Sequence, residues 1–221
     1  MLCEPRVKNM NRELSVILFD LGGVLVELPA RPIPADWVDL VPSSGQKLSD
    51  WLTSPAAKAF EKGEFRAAQF AHELVNEMKL SIAPEDILAY FTFWPKGLFP
   101  GTKALIGRIP PHYTLAIFSN TNELHWPRLM SEMELEGCFD YYFASFQIGM
   151  AKPDTAAFQY VVRVLSCEPS EILFLDDSQT NVDAARLVGM NAERVSGIGQ
   201  VEQVLAQNGV LDCQWPVLPS R

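Results

Sequence analysis

The chain has 221 residues, 48% hydrophobic and 20% charged, a balance that excludes extensive disorder and suits one large domain or a core domain with an insertion. A formal net charge of -9 argues against a nucleic-acid or anionic-membrane surface. A small anionic substrate stays admissible, because a bound metal and one lysine can invert the local field.

Residues 1–15 read as a flexible leader, polar and carrying Glu4 and Glu13, unlike a signal peptide. Val16-Ile-Leu-Phe19 is a short apolar run opening on β-branched residues, which predicts a strand buried on both faces of a parallel sheet. Asp20 then stands at the strand's C-terminal edge, where open α/β sheets place ligands. Gly22 and Gly23 allow a sharp turn and a close backbone approach. Alone, the segment is equally an Asp that starts a turn. The cluster Pro29-Ala-Arg-Pro-Ile-Pro34 leads the chain out of the core as a linker. From Asp36 to Phe93 the pattern is helical: Ser54-Pro55 opens one helix, Ala67, Ala71, Leu74, Val75 and Met78 share a face of another, and Pro84 opens a third. Residues 94–101 are the return linker.

Strands and helices then alternate. Strands are predicted over Leu115–Phe118, Tyr142–Ala144, Ile172–Leu175 and Glu193–Val195. Helices are predicted over Thr102–Ile109, Leu124–Leu135 (interrupted by Pro127), from Asp154 or Thr155, over Asn181–Val188, and over Val201–Gln207. Such alternation gives an α/β fold, a doubly wound Rossmann-like parallel sheet with an α-helical cap insertion. The core is 16–28 and 101–211, the cap 35–94, and 212–221 a flexible tail. The four cysteines, Cys3, Cys138, Cys167 and Cys213, are scattered without metal-type spacing. They suit reduced thiols in a cytoplasmic protein. No apolar run is long enough to span a bilayer.

Parallel strands bring their C-terminal ends to one edge, so Asp20, Ser119-Asn-Thr-Asn122 and Asp176-Asp177 should converge, with Lys152 between the last two in sequence. Three crowded carboxylates call for a cation, and oxygen ligands suit Mg²⁺. Ser119, nearby backbone N–H groups and Lys152 can hold anionic oxygens. The set is equipment for phosphoryl transfer through an aspartyl-phosphate.

At this point the chain resembles the haloacid dehalogenase-like hydrolases. Four motifs match in order: Phe-Asp-Leu-Gly-Gly-Val at 19–24, Phe-Ser-Asn-Thr-Asn at 118–122, Met-Ala-Lys-Pro-Asp at 150–154 and Phe-Leu-Asp-Asp at 174–177. Ser178-Gln-Thr-Asn181, Ala185 and Gly189-Met190 continue the likeness, which covers about Val16 to Gly209. The resemblance implies Asp20 as nucleophile and metal ligand, Ser119 as phosphoryl donor contact, and Lys152 as the cation that neutralises the phosphoryl group while holding Asp20. It implies Mg²⁺ held by Asp20, the Gly22 carbonyl, Asp176 and Asp177, directly or through water. Gly23, Asn120, Thr121, Asn122 and His125 fall in its substrate-binding motifs.

The chain departs from the family at Gly22, where its phosphatases usually carry the Asp that protonates the leaving oxygen. Asp-Leu-Gly-Gly and Ser-Asn-Thr-Asn-x-Leu-His at 119–125 are similar to the sugar-1-phosphate phosphatase branch. A phosphatase acting on a small phosphorylated metabolite is therefore expected. The alternatives are a weakly catalytic binding or regulatory protein, and a dehalogenase, whose fourth motif lacks the metal carboxylates that this chain keeps. With no acid at 22, stable leaving groups such as anomeric or aryl phosphates should be favoured, and His125 is the nearest substitute donor. Partners beyond the metabolite, and oligomeric state, leave no mark in the sequence.

Overall fold

The computed structural model describes residues 13–29 and 48–211. Most of both predicted flexible termini, the proline cluster from residue 30 onward and the start of the cap insertion lie outside the described residues. The chain opens on β1 (Val16–Phe19) and, after a turn, β2 (Val26–Glu27). The insertion holds α1 (Pro55–Glu61), α2 (Ala67–Met78) and α3 (Pro84–Thr92). The core resumes with β3 (Gly97–Leu98), α4 (Thr102–Ile106), β4 (Thr114–Ser119), β5 (Tyr141–Ala144) and α5 (Ser145–Ile148). It ends with α6 (Thr155–Leu165), β6 (Ile172–Asp176), α7 (Gln179–Leu187), β7 (Asn191–Arg194) and α8 (Gly197–Gln207).

Five parallel strands form the main sheet in the order β5-β4-β1-β6-β7. Both faces are covered, which is why the strands read as unbroken apolar runs. Ile17, Phe19, Ile117, Leu173 and Leu175 pack with Leu105, Val201 and Leu205 on one face. Leu18, Phe118 and Phe174 pack with Phe158, Val161 and Val182 on the other. In register, Phe19 faces Ile117 of β4 and Leu175 of β6, so the ends of these three strands lie side by side. That pairing carries Asp20, Ser119 and Asp176 to one edge.

Two expectations change. The helix expected over 124–135 is shorter: Trp126 and Pro127 are helical, Leu129 N donates to His125 O at 3.0 Å, and Arg128–Glu132 continues as a wide turn closed by Met133 N donating to Arg128 O at 2.9 Å. Pro127 lies in the first turn, where its missing N–H has no intrahelical partner to lose. The return linker contains β3, which pairs antiparallel with β2 and makes a two-stranded neck between core and cap. Two-residue strands are too short to show a period.

The cap has its own core of Trp51, Phe60, Phe70, Leu74, Ile87 and Phe91, with the Phe60 and Phe70 rings stacked at 4.4 Å between centroids. Ser54 caps α1 by accepting from Ala57 N, with Pro55 at the first helical position. The cap docks on the core at two places. On one side the loop after β4 reaches across: His125 Nε2 lies 2.7 Å from Phe91 O, and Glu123 accepts from Ala67 N at 2.7 Å. Arg128 donates to the carbonyls of Thr92 and Pro95. On the other side the turn after α1 lies against α5. Gly63 has φ +72° there, and a Cβ on it would stand 2.3 Å from Phe146 O.

Gly63→Ala should therefore cost about 1–3 kcal/mol from backbone strain alone, before the clash is counted. Urea denaturation measures it. An unchanged midpoint would mean that the cap does not dock as described.

Candidate active site

Three strand ends and one loop build the site. Asp20 follows β1 directly and is fixed by its own N–H, which donates to Leu175 O at 2.9 Å. Lys152 lies on the loop before α6 and is buried. Its Nζ donates to Asp20 Oδ1 at 2.8 Å, to Asp176 Oδ2 at 2.6 Å and to Phe118 O at 2.8 Å. All three ammonium protons thus have acceptors. Asn120 holds the lysine's backbone by a pair of bonds, accepting from Lys152 N at 2.9 Å and donating to Lys152 O at 2.8 Å.

Asp176, at the end of β6, is wholly buried and also accepts from Ser178 N at 2.8 Å and from Asn181 Nδ2 at 3.0 Å. Asp177 is exposed and takes no hydrogen bond from another described side chain. Its carboxylate leans on Gly23, where φ is +71° and a Cβ would stand 2.4 Å from Asp177 Oδ2. Gly23 is needed for both reasons. Carboxylate oxygens of Asp20, Asp176 and Asp177 lie within 4.8 Å of one another. Among the described residues no other side chain donates to Asp20 Oδ2 or to the Asp177 carboxylate, and the latter accepts only from its own backbone N–H. One lysine against three carboxylates leaves the cluster negative, and the donor set suits a hard cation.

The charges act on one another as burial dictates. Desolvation pushes the Asp20 carboxyl from 3.8 up to about 7, against the pull of Lys152 and with a push from Asp176. Burial alone would pull Lys152 down, but the carboxylates of Asp176 and Asp20 hold it above its ordinary value. Asp177 is raised by desolvation and by Asp176.

Ser119 is buried at the end of β4, and its hydroxyl has no hydrogen-bond partner among the described residues. With Gly22, Leu28, Trp94, Thr121 and His125 it lines a small cavity under the neck. The other predicted substrate contacts are engaged in structure. Gly23 N donates to Val26 O at 2.9 Å, and Thr121 N to Ser145 Oγ at 3.0 Å. Asn122 Oδ1 accepts from the N–H groups of Leu124 and His125, both at 3.1 Å, and its Nδ2 lies 3.2 Å from His125 Nδ1. With Phe91 O on the other nitrogen, the imidazole is neutral, its Nε2 donating and its Nδ1 accepting. Burial holds it down at about 4.

Two residues of the site escaped sequence reasoning, and the role of a third was not read from it. Asn181, noted only as part of the family's pattern, sits in the first turn of α7 and braces Asp176. Ser145 is wholly buried and joins Thr121 to Glu61. Glu61 is a half-buried cap carboxyl that desolvation pushes from 4.5 up to about 7, lowered by Lys152 and raised by Asp20. The readable signal was an acid at the C-terminal end of a helix, the wrong end for its charge.

Comparison with known proteins adds the following. A family model described as haloacid dehalogenase-like hydrolase matches residues 14–189. The sesquiterpene phosphatase astK of Aspergillus oryzae is 29% identical over 180 residues, 78% of this chain and 85% of that protein. The D-ribitol-5-phosphate phosphatase of Bacteroides thetaiotaomicron is 24% identical over 181 residues, 78% and 87% of the two chains. A HAD family enzyme from Bacteroides thetaiotaomicron, solved in complex with magnesium and inorganic phosphate, superposes with a TM-score of 0.66 at 22% identity, covering 82% of this chain and 93% of that one. Among the described residues no helix is long and apolar enough to cross a membrane.

Asp20 and Glu61, both raised to about 7, make the metal-free fold sensitive to pH. Between about pH 4 and 7 these two carboxyls bind more protons in the folded chain than in the unfolded one. Together they outweigh His125, which is held neutral down to about 4 and acts in the opposite sense below about 6.5. Stability therefore falls as pH rises through that window. EDTA-treated protein should melt at a lower temperature at about pH 8 than at about pH 6. Calorimetry showing the reverse order would contradict the burial of these two carboxyls.

Proposed function

The chain belongs to the haloacid dehalogenase-like hydrolases, and we propose that it is a Mg²⁺-dependent phosphatase that passes the phosphoryl group of a small phosphate monoester to Asp20 and then to water. A sugar phosphate is the favoured substrate class. The observation that carries this reading is the Lys152 ammonium shared between Asp20 and Asp176 at 2.8 and 2.6 Å. It places a fixed positive charge beside a carboxylate that has one oxygen free.

In this reading Asp20 Oδ2 and the Asp177 carboxylate offer free oxygens to the cation, with the Gly22 carbonyl beside them. That carbonyl accepts none of the backbone hydrogen bonds of its turn. Asp176, already holding Lys152, Ser178 and Asn181, contributes through its charge or through water. When bound, the cation offsets the charge of the phosphoryl oxygens and orients them for attack. Ser119 donates its unused hydroxyl to a phosphoryl oxygen. Lys152 holds the Asp20 carboxylate in one orientation and offsets the charge brought by the substrate. Asn120 serves by positioning Lys152. Thr121, Asn122 and His125 serve by shaping the loop and fastening the cap. The adjacent acids Asp176 and Asp177 favour this chemistry over a metal-free dehalogenase. The phosphatase names of two relatives, and the magnesium and phosphate bound by a structural neighbour, support it further.

A panel of phosphate esters assayed with Mg²⁺ and with EDTA tests the proposal. Activity should require the metal. Asp20→Asn is nearly isosteric, so it should fold as the parent does yet lose at least about 10⁴-fold in turnover. Mg²⁺ should also raise the melting temperature of the parent, by binding only the folded state, and do so less in Asp177→Asn. Full activity in EDTA, or near-parent turnover in Asp20→Asn, would overturn it.

A further inference from the structure

Phosphoryl transfer to Asp20 leaves an alkoxide to be protonated, and the usual place for the donor holds a glycine. Gly22 has no side chain to offer, and the end of the Leu28 side chain, its Cδ1, stands 2.7 Å from where a Cβ would be. His125 is neutral, with both ring nitrogens engaged by Asn122 and Phe91. Asp176 is saturated with donors, and Asp177 lies against Gly23 within the acidic cluster.

Glu61 is differently placed. It is the last residue of α1, and the core holds that helix end. Ser145 Oγ donates to Glu61 O at 2.6 Å and accepts from Thr121 N at 3.0 Å, two residues beyond Ser119. Gly63 presses its backbone on Phe146 O just after. The Ser145 tie sets the end of α1 beside the strand ends, two residues from Ser119, and Lys152 and Asp20 are among the charges that act on the Glu61 carboxyl. Its own helix contributes Lys58, which acts in the same sense as Lys152. The residue breaks three local rules together. Its charge sits at the negative end of a helix, its carboxyl is half-buried, and no described residue gives it a hydrogen bond. Such a position lowers stability without a structural return, which marks a functional one. A carboxyl held at about 7 also carries its proton near neutral pH.

We propose that Glu61, delivered by the cap, protonates the leaving oxygen and afterwards takes the proton of the attacking water. This rests on the phosphatase reading above. In the first step an Asp20 carboxylate oxygen bonds to phosphorus while the bond from phosphorus to the leaving oxygen breaks. The Glu61 proton passes to that oxygen, releasing the alcohol and leaving Glu61 ionised. In the second step water bonds to phosphorus and gives its proton to Glu61. The bond between phosphorus and Asp20 breaks, its electron pair returns to the Asp20 carboxylate, and inorganic phosphate departs. Both carboxyl groups end as they began.

Glu61→Gln keeps the shape and removes the exchangeable acid. Two substrates separate the roles: 4-nitrophenyl phosphate, whose leaving group departs unaided, and the fastest alkyl phosphate of the panel, whose leaving group does not. With Mg²⁺ present, Glu61→Gln should lose roughly 10²–10⁴-fold in alkyl turnover. It should keep the parent's rate of nitrophenol release in the first turnover and then stall as the phosphoenzyme. That retained first turnover also shows that the variant is folded. Unchanged alkyl turnover, or equal loss of alkyl turnover and first-turnover nitrophenol release, would overturn the proposal. A parent that hydrolyses only aryl phosphates would overturn it while leaving the phosphatase reading intact. A parent inactive on every ester would remove both.

Discussion

Everything at the strand ends depends on one buried ammonium. Lys152 is 4% exposed, and its Nζ lies over the rings of Phe118 and Phe174, 5.3 Å from each centroid. A cation taken that far from water costs several kcal/mol unless paired. Here Asp20, Asp176 and the Phe118 carbonyl take its three protons. The dependence is mutual, since Asp176 has no exposure of its own and takes its hydrogen bonds from Lys152, Ser178 and Asn181. Removing the lysine would leave two buried carboxylates facing each other. The parallel sheet makes the arrangement available, because β4, β1 and β6 are neighbours and end together.

The same physical logic explains the loop after β4. Its residues 119–128 carry the Ser119 hydroxyl, free for a ligand, and then a series of groups that fasten the cap. Asn120 braces Lys152, Asn122 shapes the turn, and Glu123, His125 and Arg128 bond to the backbone of α2, α3 and the return segment. Site and cap are thus fixed by one continuous stretch of chain. Ser145 makes the second tie, from Thr121 to Glu61. A cap set this way is coupled to the site through hydrogen bonds a few residues long.

Much of this was legible in the sequence because it rests on strong local signals. Unbroken apolar runs marked β1, β4 and β6, and the polar residues closing them had to meet once the strands were parallel. Ser54-Pro55 and Asp154 announced the helix starts that the structure shows. The remainder was hidden for definite reasons. The neck of β2 and β3 is too short for periodicity. Pro127 stands in the first turn of a helix that is shorter than expected and widens over Arg128–Glu132. Trp51 lies outside any periodic run, yet it is buried in the cap's own core, 1% exposed, because aromatic rings of α2 and α3 enclose it. Asn122 and His125 matched a motif whose sequence does not say whether a side chain meets a ligand or its own chain. Glu61 lay outside every motif, since its importance comes from docking between segments far apart in sequence.

The most direct measurement is to locate the phosphoryl group itself. The protein, mixed with 4-nitrophenyl phosphate and Mg²⁺ and quenched in acid within the first turnover, can be digested and its peptides read by mass spectrometry. The phosphoryl increment should lie on the peptide containing Asp20, as an acid-stable, base-labile acyl phosphate. An increment on any other residue, or none while phosphate is being released, would contradict the role given to Asp20 and its lysine.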